Sequence, residues 1–415
     1  MSHNLLMNKP FTLLVLLALP TICHADYELR LNDGVTLIWP DYSIEGNQYC
    51  TRREYGSFCV QKRDVVSLKK VQGGPGNASP LNRAPSHARA AAAAPRMVDG
   101  IPVSGTDAAG ADLFDEVMVR AMKRINCTAA AVAVADRGVM VHSRGYGWLD
   151  KEKKVPLPAD AMIGIASCEK PVTAAAIKHL ARNGGLDLDA GLFALLKVRP
   201  QGPVRDERIH SISIRHVLEH KAGWGPDPAS GAADALRKAG GSDPLPLEAI
   251  LSRVMTHPLK NAPGTVSEYC NFGYDTLRHV LERFSGKRPD DYFRNVLFQP
   301  ELVLGFYGSG APLPKDAPPL VWNAATGGPI SASAPALLKF MRRYWLTGEP
   351  RDSGNPLWVM YGSLDGSTAI MIWRSDGIDL VALFNGRGSV SHDEISRDLQ
   401  AVIDRIKDAR GGSLL

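Results

Sequence analysis

Apolar side chains recur at Leu113, Phe114, Val117, Met118 and Met122, the three-and-four spacing of a helix with one buried face. Two strands are predicted next, Ala129 to Ala135 and Val139 to Arg144, joined by the turn Asp136-Arg-Gly138. A helix opening near Ser167 runs to Asn183, where Gly184-Gly185 closes it, and Pro171 falls in its first turn, where a missing N–H costs little. Residues 213–300 carry a mostly helical pattern, and a further helix covers about 335–345. Strands return at Ala369–Trp373 and Asp379–Phe384 across Ser375-Asp-Gly377. The last helix opens on a capping box, Ser391-His-Asp-Glu394, and sets Ile395, Leu399, Val402 and Ile406 on one face. This order predicts an α/β (α+β) domain over residues 111–410. One antiparallel sheet is fed by both ends of the domain, with helices on its faces and an inserted all-helical region.

The pattern changes upstream of that domain. Residues 26–72 form a small β-rich module: Tyr27–Leu31 and Val35–Trp39 read as strands around an Asn-Asp-Gly turn. Gln48-Tyr-Cys50 and Phe58-Cys59-Val60 flank a second reversal, so a hairpin disulfide between Cys50 and Cys59 is expected, a staple useful to a unit with little core. Residues 73–110 are rich in Gly, Pro, Ser and Ala and read as a linker. Residues 1–25 have the form of a secretory signal: Lys9, an apolar core from Phe11 to Leu19, the helix breaker Pro20, and Ala25 before an expected cut at Asp26. The apolar run is shorter than the roughly 20 residues a membrane span needs. The expectation is therefore an exported protein, periplasmic or secreted, with no transmembrane anchor after cleavage.

Composition narrows the chemistry. The 415 residues are 45% hydrophobic and 22% charged with a net charge of +5, and no cluster of Lys and Arg suggests a nucleic-acid face. Cys50, Cys59, Cys127, Cys168 and Cys270 follow the signal, an odd number that allows two disulfides and one free thiol. Neither the cysteines nor the eleven histidines show the spacing of a metal site, and no cofactor is implied.

Three short segments carry the candidate catalysis. In Ser167-Cys-Glu-Lys170, residues three apart on a helix share a face, so the Lys170 amine lies beside the Ser167 hydroxyl. A serine becomes a nucleophile only with a base at hand, and a lysine withdrawn from water is one chemical solution. No Gly-x-Ser-x-Gly elbow occurs, which argues against an α/β-hydrolase. The wider segment from Ile163 to Ile177, ending in Asn183-Gly-Gly-Leu-Asp-Leu-Asp189, resembles the nucleophile segment of the β-lactamase-related serine hydrolases, which include class C β-lactamases, DD-peptidases and esterases. Tyr269-Cys-Asn271, within Pro263–Tyr274, is similar to that family's Tyr-x-Asn segment. The stretch Ile212–Trp224 resembles a structural part of the same family, and His216 and His220 are taken as structural there. The third segment departs from the family: Tyr361-Gly-Ser-Leu-Asp-Gly aligns with its cleft strand and puts Met360 where Lys or His is usual.

The resemblance spans roughly residues 112–408 and implies a β-lactamase/transpeptidase-like fold and an acyl-enzyme mechanism. Ser167 attacks, Lys170 and Tyr269 move protons, Asn271 bonds substrate or Lys170, and Gly362 with Ser363 completes an oxyanion hole through the Ser167 and Ser363 N–H groups. The expected partner is a small-molecule or peptide substrate, with the cell wall as a further candidate. Without the cation, esters lacking a carboxylate become better candidates than penicillins or D-Ala peptides. The alternative is a catalytically weak, penicillin-binding-like protein that holds a cell-wall or small-molecule ligand. If Ser167 and Tyr269 lie within hydrogen-bond reach, Cys168 and Cys270 sit on adjoining segments and a disulfide between them is expected. Otherwise both are small buried residues facing opposite ways.

Overall fold

The computed structural model describes the strand segments 26–31, 36–39, 43–45, 48–53, 56–62 and 65–71, then residues 95–105, 110–149, 152–297, 331–351, 357–412 and 414. The expected signal segment, the turns at 32–35 and 54–55 and most of the expected linker lie outside the described residues. The chain divides into two units, Met1–Ala88 and Arg89–Leu415.

The first unit holds two three-stranded antiparallel sheets. One has the order β2 (Thr36–Trp39), β1 (Asp26–Leu31), β6 (Val65–Val71), and the other β3 (Ser43–Glu45), β4 (Gln48–Arg53), β5 (Gly56–Gln61). The register sets Cys50 opposite Cys59.

The second unit is organised by a seven-stranded sheet in which every neighbouring pair is antiparallel. Its strands are β7 (Arg96–Val98), β8 (Ile101–Gly105), β9 (Ala129–Asp136), β10 (Val139–Gly147), β13 (Trp358–Leu364), β14 (Ser367–Trp373) and β15 (Ile378–Phe384). Across the sheet the order is β13-β14-β15-β9-β10-β8-β7. The C-terminal strand β15 lies beside the early strand β9, so both ends of this unit feed one sheet. A two-stranded pair, β11 (Ile163–Gly164) with β12 (Ser331–Ala332), forms a separate sheet packed against β14 and β15.

Side chains alternate across the sheet, and each face has its own core. Val132, Val134, Ile370, Ile372, Leu380 and Phe384 pack under α1 (Ala111–Ile125) and α10 (His392–Ala409), which contribute Phe114, Met118, Met122, Leu399 and Ile403. The opposite face presents Ala131, Ala133, Met371, Val381 and Leu383 to α2 (Lys170–Arg182) and α9 (Ala334–Arg343). The small alanines of β9 let α9 seat closely on that face. The helical insert comprises α3 (Leu192–Leu196), α4 (Ile214–Leu218), α5 (Pro228–Lys238), α6 (Leu247–Val254), α7 (Asn271–Ser285) and α8 (Pro289–Tyr292). It extends this second core with Leu192, Ile214, Ile250, Leu277 and Leu281.

Two expectations are corrected. The linker does not reach residue 110: Arg96–Val98 and Ile101–Gly105 are strands at the edge of the main sheet. Their strand pattern is weak because an edge strand buries only part of its surface. The capping box at the last helix is half made. Ser391 accepts from the Asp393 N–H, but the Glu394 carboxylate is drawn to Arg124 on α1, 2.6 Å away. No helix among the described residues is long and apolar enough to cross a membrane.

Candidate active site

The site forms where the edge strand β13 meets the turn that opens α2. Ser167 is half-buried on a single 3₁₀ turn, Ala166–Glu169, held by the Cys168 N–H donating to the Ile165 carbonyl at 3.0 Å. Ala166 has φ +47°, a left-handed conformation that costs a non-glycine residue about 1–2 kcal/mol. β13 crosses this turn so closely that a Cβ on Gly362 would lie 2.2 Å from the Ile165 carbonyl oxygen and 3.1 Å from the Cys168 nitrogen. Only glycine fits. Met360, two residues earlier on the same face, packs against the core that carries Ser167. Its carbonyl accepts from the Cys168 thiol at 3.6 Å. Ser363 follows Gly362 and is paired in register with Thr368.

Two side chains converge on the Ser167 hydroxyl. The Tyr269 hydroxyl donates to Ser167 Oγ at 2.6 Å. Lys170 Nζ lies 3.4 Å from the same oxygen, although its side chain belongs to a residue only 6% exposed. Lys170 Nζ also faces the rings of Tyr269 and Tyr274, 5.1 and 5.5 Å from their centroids. The predicted trio of Ser167, Lys170 and Tyr269 is therefore brought together. Asn271 stands at the first turn of α7, exposed, and among the described residues makes no hydrogen bond to Lys170. Of its two expected roles, only contact with a substrate is open to it.

Sequence reasoning missed a buried charge network under the site. Glu169, inside the Ser-x-x-Lys turn, pairs with Arg278 at 2.9 Å, accepts from Thr173 Oγ1 at 2.7 Å and lies 3.4 Å from Lys170 Nζ. Burial is the largest influence on its carboxyl and pushes the pKa up, but Arg278, Lys170 and the hydrogen bonds together outweigh it and hold the group ionised. Arg278 is buried and also bonded to Asp275. The available signal was a charged residue four positions from Tyr274, on the buried stripe of α7. His220, expected to be structural, stacks on Tyr269 with 4.9 Å between ring centroids.

The Cys168–Cys270 disulfide does not form. Both thiols are free and buried, Cys168 turned to Met360 and Cys270 to Trp224 and the first turn of α7. Adjoining backbone segments with side chains aimed apart cannot be bridged. Burial pushes both thiols up, Cys270 to about 11, so neither is a thiolate nucleophile near neutral pH. Among the described residues no three His, Cys, Asp or Glu side chains gather as a metal ion would require.

Comparison with known proteins follows the same outline. Residues 114–357 match the Beta-lactamase family model. Esterase EstB of Burkholderia gladioli is 31% identical over 180 residues, 42% of this chain and 45% of EstB. Matches to the curated relatives thus span less than half of their length. Among solved structures, EstCE1, described as a hydrolase with promiscuous acyltransferase activity, aligns with TM-score 0.53 at 19% identity over 71% of this chain and 98% of its own. An octameric penicillin-binding protein homologue from Pyrococcus abyssi aligns with TM-score 0.52 at 19% identity, over 73% and 78% respectively. At this identity the likeness is one of fold.

The Gly362 contact makes a direct prediction. Gly362→Ala must displace the Ser167 turn, and labelling of Ser167 by a fluorophosphonate probe is expected to slow about a hundredfold, the scale of a roughly 1 Å misplacement. Mass spectrometry of the labelled peptide at timed intervals measures it, and an unchanged rate would show that the turn tolerates the methyl group.

Proposed function

The chain belongs to the β-lactamase family, and on that premise we propose that it is a serine hydrolase that cleaves neutral esters through an acyl-enzyme on Ser167. The observation that carries this reading is the convergence of Tyr269 and Lys170 on one serine oxygen, at 2.6 and 3.4 Å. Ser167 Oγ attacks the substrate carbonyl carbon as its proton passes to the Lys170 amine. The carbonyl oxygen, now negative, is held by the Ser167 and Ser363 N–H groups, donors that stabilise charge as it develops. As the carbonyl re-forms, the C–O bond to the leaving alcohol breaks, and that oxygen takes the proton through the Tyr269 hydroxyl. Water then adds to the acyl-enzyme by the same route in reverse, releasing the acid and restoring Ser167.

Substrate class follows from Met360. This position lies two residues before Gly362 on the face toward Ser167, and a thioether there offers a substrate carboxylate no counter-charge. A neutral acyl ester needs none. EstB, 31% identical over the matched residues, is by name an esterase. We also propose that the protein is exported with residues 1–25 removed and Cys50 bonded to Cys59, in keeping with their register across one hairpin.

Ser167→Ala and Lys170→Ala are each expected to abolish nearly all turnover of p-nitrophenyl esters with the fold retained. The double variant should be little worse than either, because residues acting as one unit give non-additive losses. Stopped assays with circular dichroism on the same samples check this, and full activity in Ser167→Ala would refute the assignment. Met360→Lys is expected to favour acyl substrates carrying a free carboxylate over neutral ones by about ten- to a hundred-fold, the effect of about 1.5–3 kcal/mol from one charged contact. The measurement is the ratio of kcat/KM for a matched ester pair, and a constant ratio would place Met360 away from the acyl group. Intact-mass analysis of protein recovered outside the cytoplasm should begin at Asp26, and a non-reduced digest should yield a peptide linking Cys50 to Cys59. A retained first segment, or free thiols at both positions, would contradict export in this form.

A further inference from the structure

The residues on either side of Tyr269 are tied to one partner. The Glu268 N–H donates to the His220 carbonyl at 2.8 Å, and the Cys270 N–H donates to His220 Nδ1 at 3.1 Å. Between these two bonds the imidazole lies against the Tyr269 ring, with centroids 4.9 Å apart and planes 31° apart. Its other contact of this kind is with buried Tyr274, also at 4.9 Å, and the Tyr274 hydroxyl is anchored on the Leu218 carbonyl at 3.1 Å. His220 itself is held in the left-handed region, φ +56°, just beyond α4. Its N–H donates to the Val217 carbonyl at 3.1 Å.

Tyr269 needs such support because little else holds it. It is 47% exposed, yet its hydroxyl must stay within 2.6 Å of Ser167 Oγ. Building on the hydrolase reading, we propose that His220 is a positioning residue for Tyr269, clamping the backbone on both sides of it and backing its ring so that the hydroxyl stays on Ser167. The clamp requires a lone pair on Nδ1, so the ring proton sits on Nε2. Burial, and then the Lys170 charge, lower the His220 pKa to about 4, which keeps that lone pair available through the neutral range. His220 touches neither the nucleophile nor the oxyanion donors in this scheme; it acts through Tyr269.

The test contrasts two polar replacements. Asparagine carries an oxygen near the place of Nδ1 and tolerates a left-handed φ, whereas the glutamine amide reaches the place of Nε2 and leaves the Cys270 N–H without an acceptor. His220→Gln is expected to lower kcat for a p-nitrophenyl ester by about ten- to a hundred-fold with KM within about twofold, since a small misplacement of a proton-transfer group acts on the chemical step. His220→Asn is expected to stay within about threefold of the parent kcat, and on a Tyr269→Phe background the glutamine change should cost nothing more, as acting through one residue requires. A merely structural role would instead lower the melting temperature and add its loss in full to that of Tyr269→Phe. Hydrogen exchange of the Cys270 amide supplies a readout independent of turnover: slow in the parent and in His220→Asn, fast in His220→Gln. A glutamine variant with parental kcat, or a full additive loss on Tyr269→Phe, would overturn the proposal. If the parent itself turns over no ester, the hydrolase reading fails while the clamp is still decided, because equal Cys270 exchange in the parent and in His220→Gln would remove it.

Discussion

The contact between Gly362 and the Ile165 carbonyl is the constraint around which the molecule is arranged. It presses the edge of a sheet onto a single turn of 3₁₀ helix with no space for a side chain. Both partners are held from behind. β13 is fixed by its full register with β14, and the Ser367 hydroxyl of β14 reaches back to the Gly164 carbonyl just ahead of the nucleophile turn. The turn is continued directly by α2, whose buried face is part of the larger core. Ser167 thus sits on a seam between the sheet and the helices packed on it. Reacting groups supplied from both sides of such a seam depend on its packing for their geometry.

Beneath that seam runs a chain of buried charge. A carboxylate enclosed without partners would be strongly destabilising, and Glu169 is instead shared among Arg278, Thr173 and Lys170. Arg278 comes from α7, the helix that begins two residues after Tyr269. The same pairing that neutralises Glu169 therefore fixes α7 against α2, and with it the segment that delivers Tyr269. The two tyrosine rings complete this arrangement by facing the Lys170 amine, which keeps a polar tip in an otherwise apolar wall.

Cys168 and Cys270 illustrate how neighbours in a mechanism need not be neighbours in packing. Each adjoins a catalytic residue, but the thiols fill apolar space beside different neighbours, Cys168 at Met360 and Cys270 at Trp224 and the first turn of α7. Met360 belongs to the same packing surface. A thioether there is compatible with the apolar surroundings of Cys168 and with an uncharged acyl group, whereas a cation would have to be solvated or paired.

Local pattern determined much of this protein by itself. The strands β9, β10, β14 and β15, the helices α1, α2 and α10 and the pairing of both ends of the domain in one sheet follow from periodicities two and near four, which each segment carries within its own residues. The adjacency of Ser167 and Lys170 is equally local, a consequence of their spacing on one turn. Tyr269, a hundred residues on, was reached only through resemblance to a family. What the sequence did not contain in legible form are relations between distant segments. Glu169 meets Arg278, His220 meets the amide of Cys270, and Glu394 leaves its own helix cap for Arg124. Edge strands such as Arg96–Val98 are equally silent, because half of their surface is unburied and their pattern is weak. For Glu169 and the Cys270 amide the partner is chosen by burial: a charge or an N–H taken out of water must find a counterpart, and which one lies within reach is decided only when the chain has packed.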